Sequence, residues 1–299
     1  MNSTSNVADQ ITRVETLPSS TRIAHAHFRV SKLESALAFY RDLVGLTVLS
    51  ASRKSSVLSE SPDGRPVLYL TEDPDAKPRN PNSPGLFHMA LLYRERKELA
   101  SAFKRLYDKQ WPFQGFADHG VSEALYLADA DGNGIELYID RPRQSWPYRN
   151  GALQMVTEPL DVASLLSEID PRASKNPTSG SGPSIGHMHL QVSDLRKAEQ
   201  FYHGALGFDV TQRNFPGALF MSAGGYHHHI GVNTWNSRGA SPAAPGAKGL
   251  VRFALQLNDS QFTQALSDRI RRTDSWVGES DHGFIVHDGD ALQIEILYT

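Results

Sequence analysis

The chain has 299 residues, of which 30 are lysine or arginine and 33 are aspartate or glutamate, and it contains no cysteine. Its length fits about two domains, and a hydrophobic content of 39% is enough to form real cores, which excludes global disorder. A net charge of −3 offers no basic surface for nucleic acid. Without cysteine, any metal must be bound by nitrogen and oxygen, and the 12 histidines are the available soft ligands.

Residues 1–21 form a polar N-terminal segment that lacks the apolar core of a signal peptide. They predict a flexible N-terminus. No stretch of the chain approaches the roughly 20 apolar residues that a membrane-spanning helix needs. We therefore expect a cytoplasmic protein that binds neither membrane nor nucleic acid.

The first unit, residues 22–80, predicts one strand, one helix and three further strands. Alternating β-formers at 24–30 predict the first strand. Leu33, Leu37 and Tyr40 at helical spacing predict a helix that ends at Gly45. Three short β-rich stretches complete a βαβββ unit, at 47–49, 56–59 and 67–71.

The same pattern recurs along the chain. Residues 23–45 and 185–207 share Ile, His, Val, Ser, Leu, Ala, Phe, Tyr and Gly at the same spacing, without a gap. Residues 85–92 (GLFHMALL) likewise resemble 249–256 (GLVRFALQ). Such repeats indicate duplicated structural units, so the chain is predicted to contain four.

The four units group into two halves in chain order. The second unit spans 85–142, which makes 22–142 the first half. The third and fourth units, 184–240 and 249–299, make 184–299 the second half. Residues 143–183 between the halves are rich in Pro, Gly and Ser and predict a linker.

Four βαβββ units, with His in a first strand and Glu in a last strand, resemble the vicinal oxygen chelate superfamily. That superfamily includes glyoxalase I and the extradiol ring-cleaving dioxygenases, and the resemblance covers about 22–142 and 184–299. It implies an α+β fold in which units pair into two half-open, mainly antiparallel barrels. A metal would lie inside a barrel, because alternate residues of each strand point inward.

Residues 119–136 (HGVSEALYLADADGNGIE) carry a sharper resemblance, to the extradiol dioxygenase signature. They match it at His119, at Tyr126 after an apolar residue, at an acidic turn containing Gly132, and at Glu136. Ala130 stands where the signature has proline, which affects only the stiffness of that turn. The resemblance is strongest to the two-half bacterial catechol-2,3-dioxygenase proteins.

The candidate ligands indicate which units share a barrel. The second unit offers His88 and Glu136, and the third offers His187 and the run 227–229 (HHH). The fourth unit has Arg252 at its histidine position, and a guanidinium cannot bind a cation. Pairing the second unit with the third fills every position. The alternative pairs the first unit with the second, in which case His25 replaces His187.

The resemblance implies a complete oxygenase site for the favoured pairing. His88, Glu136 and His187 form a two-His, one-carboxylate triad for Fe(II), with Mn(II) as the alternative. The implied catalytic residues that surround this triad are His119, Tyr126, His228 and His229, with one of the last two pointing into the site. The implied substrates are a small aromatic diol and O₂.

Two other function classes stay open on the same fold. One is a glyoxalase-type metal-dependent isomerase or lyase, which needs a second carboxylate ligand. The other is a metal-free small-molecule binding protein. Trp111, Trp146 and Trp235 are expected in the core rather than against substrate. Edge strands of an open barrel also allow a homo-oligomer.

Overall fold

The structure, a computed structural model, describes residues 15–169 and 182–298. The flexible N-terminus predicted at 1–21 lies mostly outside the described residues, although Leu17 and Thr21 are buried. Part of the predicted linker also lies outside them. In the described part of the chain, no helix is long and apolar enough to cross a membrane.

Each unit contains one helix and four strands, as the repeats predict. In the first unit these are β1 (Arg22–Val30), α1 (Leu33–Leu37) continued by a π-helical segment (Ala38–Val44), β2 (Thr47–Ala51), β3 (Ser55–Ser59) and β4 (Pro66–Glu72). In the second they are β5 (Gly85–Leu92), α2 (Arg96–Asp108), β6 (Phe113–Asp118), β7 (Ser122–Ala128) and β8 (Gly134–Asp140).

The connection and the second half continue the same pattern. The connection contains a short 3₁₀ helix (Arg143–Ser145), β9 (Tyr148–Arg149), β10 (Ala152–Leu153) and α3 (Val162–Ser167). The third unit contains β11 (Ser184–Gln191), α4 (Leu195–Glu199) with a π-helical segment (Gln200–Leu206), β12 (Asp209–Gln212), β13 (Ala218–Ser222) and β14 (Ile230–Asn233). The fourth contains β15 (Gly249–Gln256), α5 (Ser260–Ile270), β16 (Trp276–Ser280), β17 (Gly283–His287) and β18 (Gln293–Leu297).

The strands form two eight-stranded sheets, and each sheet combines units from both halves of the chain. One has the order β12-β13-β14-β11-β5-β8-β7-β6, which joins the third unit to the second; we call it the first barrel. The other, β16-β17-β18-β15-β1-β4-β3-β2, joins the fourth unit to the first and is the second barrel. The favoured pairing of the second unit with the third is confirmed, and the alternative pairing of the first with the second is wrong.

Alternation along the strands separates a dry face from a polar face. On β8, Leu137 is fully buried in the apolar core while Glu136 points to the opposite face, and on β11 Met188 and His187 divide in the same way. Helix α2 covers the apolar face of the sheet, on the side away from Glu136. Its apolar positions, which include Leu99, pack into that core, and a capping box fixes its start.

Consecutive units interlock although they belong to different sheets. The hydroxyl of Tyr40, from the helical segment of the first unit, donates to Oδ2 of Asp129, in the last turn of the second, over 2.8 Å. Tyr202 donates to Oδ2 of Asp288 over 3.0 Å in the matching position of the other half. Oδ1 of Asp129 accepts the backbone N–H groups of Asp131 and Asn133. This acidic turn therefore holds the two barrels together.

Candidate metal centre

Two strands at the centre of the first barrel position the candidate ligands. Strands β5 and β11 are antiparallel, with Ala90 opposite His187 and His88 opposite His189. Ala90 also pairs with Glu136 on the parallel strand β8. The methyl group of Ala90 thus lies between an imidazole and a carboxylate, and its small size leaves room for both side chains on the inner face.

The three predicted ligands converge on one carboxylate oxygen. Nε2 of His88 lies 3.0 Å from Oε2 of Glu136, and Nε2 of His187 lies 3.2 Å from the same oxygen. The three ligand atoms lie within 4.8 Å of one another, and all three side chains are buried. His25, the ligand of the alternative pairing, lies in the second barrel next to Glu295.

The donor set fits a divalent cation. Nitrogen and oxygen ligands that lie about 2.1 Å from a metal and at right angles to one another are about 3 Å apart, close to the separations found here. Nε2 of His88 is buried without a hydrogen-bond partner, although Glu136 is near. Burial by itself raises the pKa of Glu136, but His187 and His88 outweigh burial and hold that pKa well below its usual range. The carboxylate is therefore charged and available to bind metal.

His119 and Tyr126 form a hydrogen-bonded pair beside this group. Nδ1 of His119 lies 2.6 Å from the carbonyl oxygen of Val156, so Nδ1 carries the proton and donates. In the neutral ring, Nε2 then accepts from the Tyr126 hydroxyl over 2.7 Å. The Tyr126 ring packs 5.6 Å from that of His88. Burial, together with the charge of Glu136, raises the pKa of Tyr126 well above its usual value, so the phenol stays protonated.

A turn between β13 and β14 presents the three consecutive histidines. Gly224 and Gly225 both adopt a positive φ, which allows the chain to reverse tightly, and the Arg143 guanidinium donates to both carbonyl groups. His228 packs against His187 with a ring separation of 4.1 Å. His229 instead accepts a hydrogen bond from the backbone of Ala223. His228 is therefore the member of the run that reaches the site.

A hydrogen-bonded chain extends from His228 to a carboxylate. Nε2 of His227 lies 3.0 Å from Oδ1 of Asp140, so it donates to that carboxylate. Nδ1 of neutral His227 must then accept, and it lies 2.8 Å from Nδ1 of His228. His228 therefore carries its proton on Nδ1 and has its lone pair on Nε2. Burial, with the neighbouring His187, lowers the pKa of His228 well below its usual value, so the ring is neutral.

The sequence does not mark Asp140 as a member of the site, and it offers His227 only as one of the run 227–229. Glu136, Tyr138 and Asp140 alternate along β8, so their shared face was a signal that could have found Asp140. No periodic pattern marks His227, because it lies in the turn before β14. His189 also belongs to this cluster, since its ring packs 4.8 Å from the His88 ring.

An aromatic group borders the ligands. The Phe87 ring lies 5.3 Å from that of His88 and 5.2 Å from that of Trp235. Trp235 is 43% exposed, so the expectation that it belongs to the core is wrong. Trp146 is buried as expected, and Trp111 is half-buried. One aromatic wall of the site is thus open to solvent.

The architecture and the ligand geometry define a class of protein that the comparisons also identify. Residues 22–137 and 184–286 match the Glyoxalase/Bleomycin resistance protein/Dioxygenase superfamily. The chain belongs to this superfamily.

Particular relatives narrow the resemblance. The chain is 41% identical over 274 residues to a catechol-2,3-dioxygenase of Bacillus subtilis, covering 90% of this chain and 94% of that protein. It is 25% identical over 138 residues to biphenyl-2,3-diol 1,2-dioxygenase 2 of Rhodococcus globerulus, covering 45% of this chain and 73% of that protein. The solved structure of glyoxalase I from Zea mays superposes with a TM-score of 0.57 at 14% identity, covering 93% of this chain and 92% of the other. That last likeness shows the fold.

Proposed function

We propose that this protein is an extradiol ring-cleaving dioxygenase that opens a catechol-type ring with O₂ at a non-haem Fe(II) site. The ligands are His88, Glu136 and His187. One observation carries the proposal: the unpartnered Nε2 of His88 and Nε2 of His187 both face Oε2 of Glu136 at separations suited to a shared metal ion. The 41% identity to a catechol-2,3-dioxygenase supports the reaction class.

Fe(II) held by these residues would supply Lewis acidity and a route for electrons between the diol and O₂. The same donor set also binds Mn(II), so the choice of iron rests on the resemblance to the extradiol dioxygenases. The side chains around the ligands would bind the diol and transfer its protons.

His228 is the base in this proposal. Its proton is fixed on Nδ1 by His227, which leaves the Nε2 lone pair to take a proton from a diol hydroxyl. The lowered pKa keeps the ring neutral before substrate arrives. His229 has its Nδ1 occupied by a backbone N–H, so it has no part in this step.

Tyr126 and His119 lie at the opposite edge of the ligand group. Because the Tyr126 hydroxyl donates to His119, its oxygen can accept a hydrogen bond from the second hydroxyl of the diol. His119 is also half-exposed, so it can take up a proton from solvent on Nε2 and pass it to the Tyr126 oxygen, while the Tyr126 hydroxyl gives its own proton to the product. This arrangement separates the proton acceptor, His228, from the proton donor, His119.

The aromatic wall favours an aromatic substrate. Phe87 packs next to His88, and Trp235 packs against Phe87, so this wall offers aromatic surface on which the ring of a diol can pack. An isomerase of the glyoxalase type needs a second carboxylate on the metal, but the third unit contributes His228 beside His187. The metal-free alternative is disfavoured because the ligand set is complete.

Oxygen uptake with catechol tests the proposal. We expect the iron-loaded protein to consume O₂ and to form a yellow ring-opened product. His187→Ala should abolish both, whereas His25→Ala, at the matching strand position of the second barrel, should preserve both. Turnover of a thiohemiacetal without O₂ uptake would instead establish an isomerase. Full iron loading without oxygen uptake on catechol or its alkyl and aryl derivatives would contradict the proposal.

A further inference from the structure

The second barrel repeats the register of the first barrel residue for residue. His25 lies opposite Ala254, as His187 lies opposite Ala90. Ala254 pairs with Glu295 on the adjacent parallel strand, as Ala90 pairs with Glu136. The small central alanine and the inward carboxylate are thus present in both barrels.

Only the third ligand position differs in chemical type. Arg252 lies opposite His27 on β15, which is the position that His88 occupies opposite His189 on β5. Nε of Arg252 lies 3.5 Å from Oε2 of Glu295, and Nε2 of His25 lies 3.6 Å from the same oxygen. One carboxylate oxygen therefore faces two neighbouring side chains in each barrel, and in the second barrel one of them is a permanent cation.

We propose that the second barrel is a latent metal site in which the guanidinium of Arg252 replaces both a ligand and the charge of the metal. This inference rests on the metal-binding function proposed for the first barrel. Glu295 is buried, and a buried carboxylate is costly unless it is paired. Arg252 supplies that pairing, but it cannot bind a metal and it repels a divalent cation.

The ionisation of Glu295 is consistent with a cationic side chain, Arg252, beside it. The neighbouring His25, with Nε2 3.6 Å from Oε2, is the main cause that lowers the pKa of Glu295 to about 2, burial opposes it, and Ser280 and Arg252 lower it further. The carboxylate is therefore charged across the whole working range. A site with His25, Glu295 and a third neutral ligand would have the donor set of the first barrel, so one substitution should complete it.

Metal stoichiometry tests the inference separately from the proposed function. The His187→Ala variant disables the first barrel, and adding Arg252→His should restore one bound Co(II) per chain with its visible d–d absorption. Arg252→Leu in the same background removes the charge without adding a ligand and should bind none. Glu295→Gln added to the Arg252→His variant should remove the metal again. With the first barrel intact, Arg252→His should raise the stoichiometry from one to two.

Several outcomes would overturn the latent site. One is a folded Arg252→His protein, judged by circular dichroism, that gains no metal in the His187→Ala background. If that variant does not fold, Arg252→Cys provides another metal ligand at the same position, and its failure to gain metal would be equally decisive. Two metals in the unaltered chain would also contradict the inference. No metal in the unaltered chain would instead count against the first barrel and the proposed function.

Discussion

Nε2 of His88 lies 3.0 Å from Oε2 of Glu136 and yet has no hydrogen-bond partner among the described residues. A buried ring nitrogen in that position would ordinarily donate to the carboxylate or be satisfied elsewhere. Here the ring nitrogen and the carboxylate oxygen lie at the separation expected of two ligands of one metal ion. This relationship supports the proposed cation site.

Replacement of Glu136 by Gln should therefore remove metal binding. A ligand at a hundredfold excess over its dissociation constant stabilises a protein by about 2.7 kcal/mol, and the variant should lose this stabilisation. Iron content and thermal unfolding with and without added Fe(II) measure it. His25→Ala is the matched control, because it alters the equivalent strand position in the second barrel. A Glu136→Gln protein that still gains stability from iron would contradict the assignment.

His228→Ala should retain iron and lose turnover. General acid–base catalysis contributes roughly 10²–10⁴ to a rate, and we expect a fall in kcat of that order. His229→Ala should keep a nearly unchanged kcat, because its ring has a backbone partner instead of a position in the site. Steady-state oxygen uptake and iron analysis on both variants provide the comparison. Equal losses in the two variants would point to disruption of the turn.

Asp140→Asn should lower kcat through His227 without removing metal. The carboxylate can only accept, so it fixes the proton of His227 on Nε2. An amide can also donate to Nε2, which would move the proton of His227 to Nδ1. His228 would then receive a proton on the nitrogen that must act as base. We expect a loss of about one to two orders of magnitude in kcat, a shifted pH–rate profile and partial rescue by Asp140→Glu. An unchanged profile would mean that Asp140 only supports packing.

The sequence predicts the ligand set because each ligand lies on a strand. Successive side chains of a strand point to opposite faces, so the sequence shows which of them point into the barrel. The charge of Arg252 counts against pairing the fourth unit with the third, and the second and third units together are the only pair that fills every ligand position. The residues that hold His228 are harder to predict. His227 lies in a turn, where the direction of a side chain depends on backbone torsions such as the positive φ of Gly224.

Tertiary packing also explains why Trp235 is exposed, contrary to the expectation from its sequence. Large aromatic side chains are most often part of the core, so the sequence favours a core position for Trp235. In the structure its indole N–H donates to the carbonyl group of Pro216, and the ring lies partly in solvent beside Phe87. Contacts between distant strands, which no local pattern reveals, decide the position.

Trp235→Ala should weaken binding of the aromatic ring while leaving the chemistry intact. Aromatic pairs contribute about 0.5–1.5 kcal/mol beyond burial, so we expect KM to rise by roughly twofold to tenfold. The value of kcat should change little, because the tryptophan contacts neither a ligand oxygen nor the proton chain. Trp235→Phe should largely restore KM. A fall in kcat without a change in KM would place the tryptophan in the reacting group instead of the substrate wall.

The charge of Glu295 should make the free energy of unfolding depend on pH between about pH 4.3 and pH 2. Its folded pKa of about 2 lies below the unfolded value of about 4.3, so the folded state binds the proton less tightly. Its stabilising contribution is complete above the unfolded pKa and is lost as the pH falls towards 2. Urea unfolding of the unaltered chain and of Glu295→Gln should therefore differ most near neutral pH and converge in acid. A constant difference across that range would contradict the shift.

Asp288 should show the opposite dependence and serves as an internal contrast. Burial is the main cause that raises its pKa to about 6, above the unfolded value of about 3.9, so the folded state binds the proton more tightly. Its contribution is complete below the unfolded pKa and is lost as the pH rises through 6. Relative to Asp288→Asn, the unaltered chain should lose stability between about pH 4 and pH 7. Because Glu295 and Asp288 belong to the same unit, opposite slopes in one set of unfolding curves would exclude a general effect of acid on that barrel. Parallel slopes would show that neither carboxyl group controls the pH dependence.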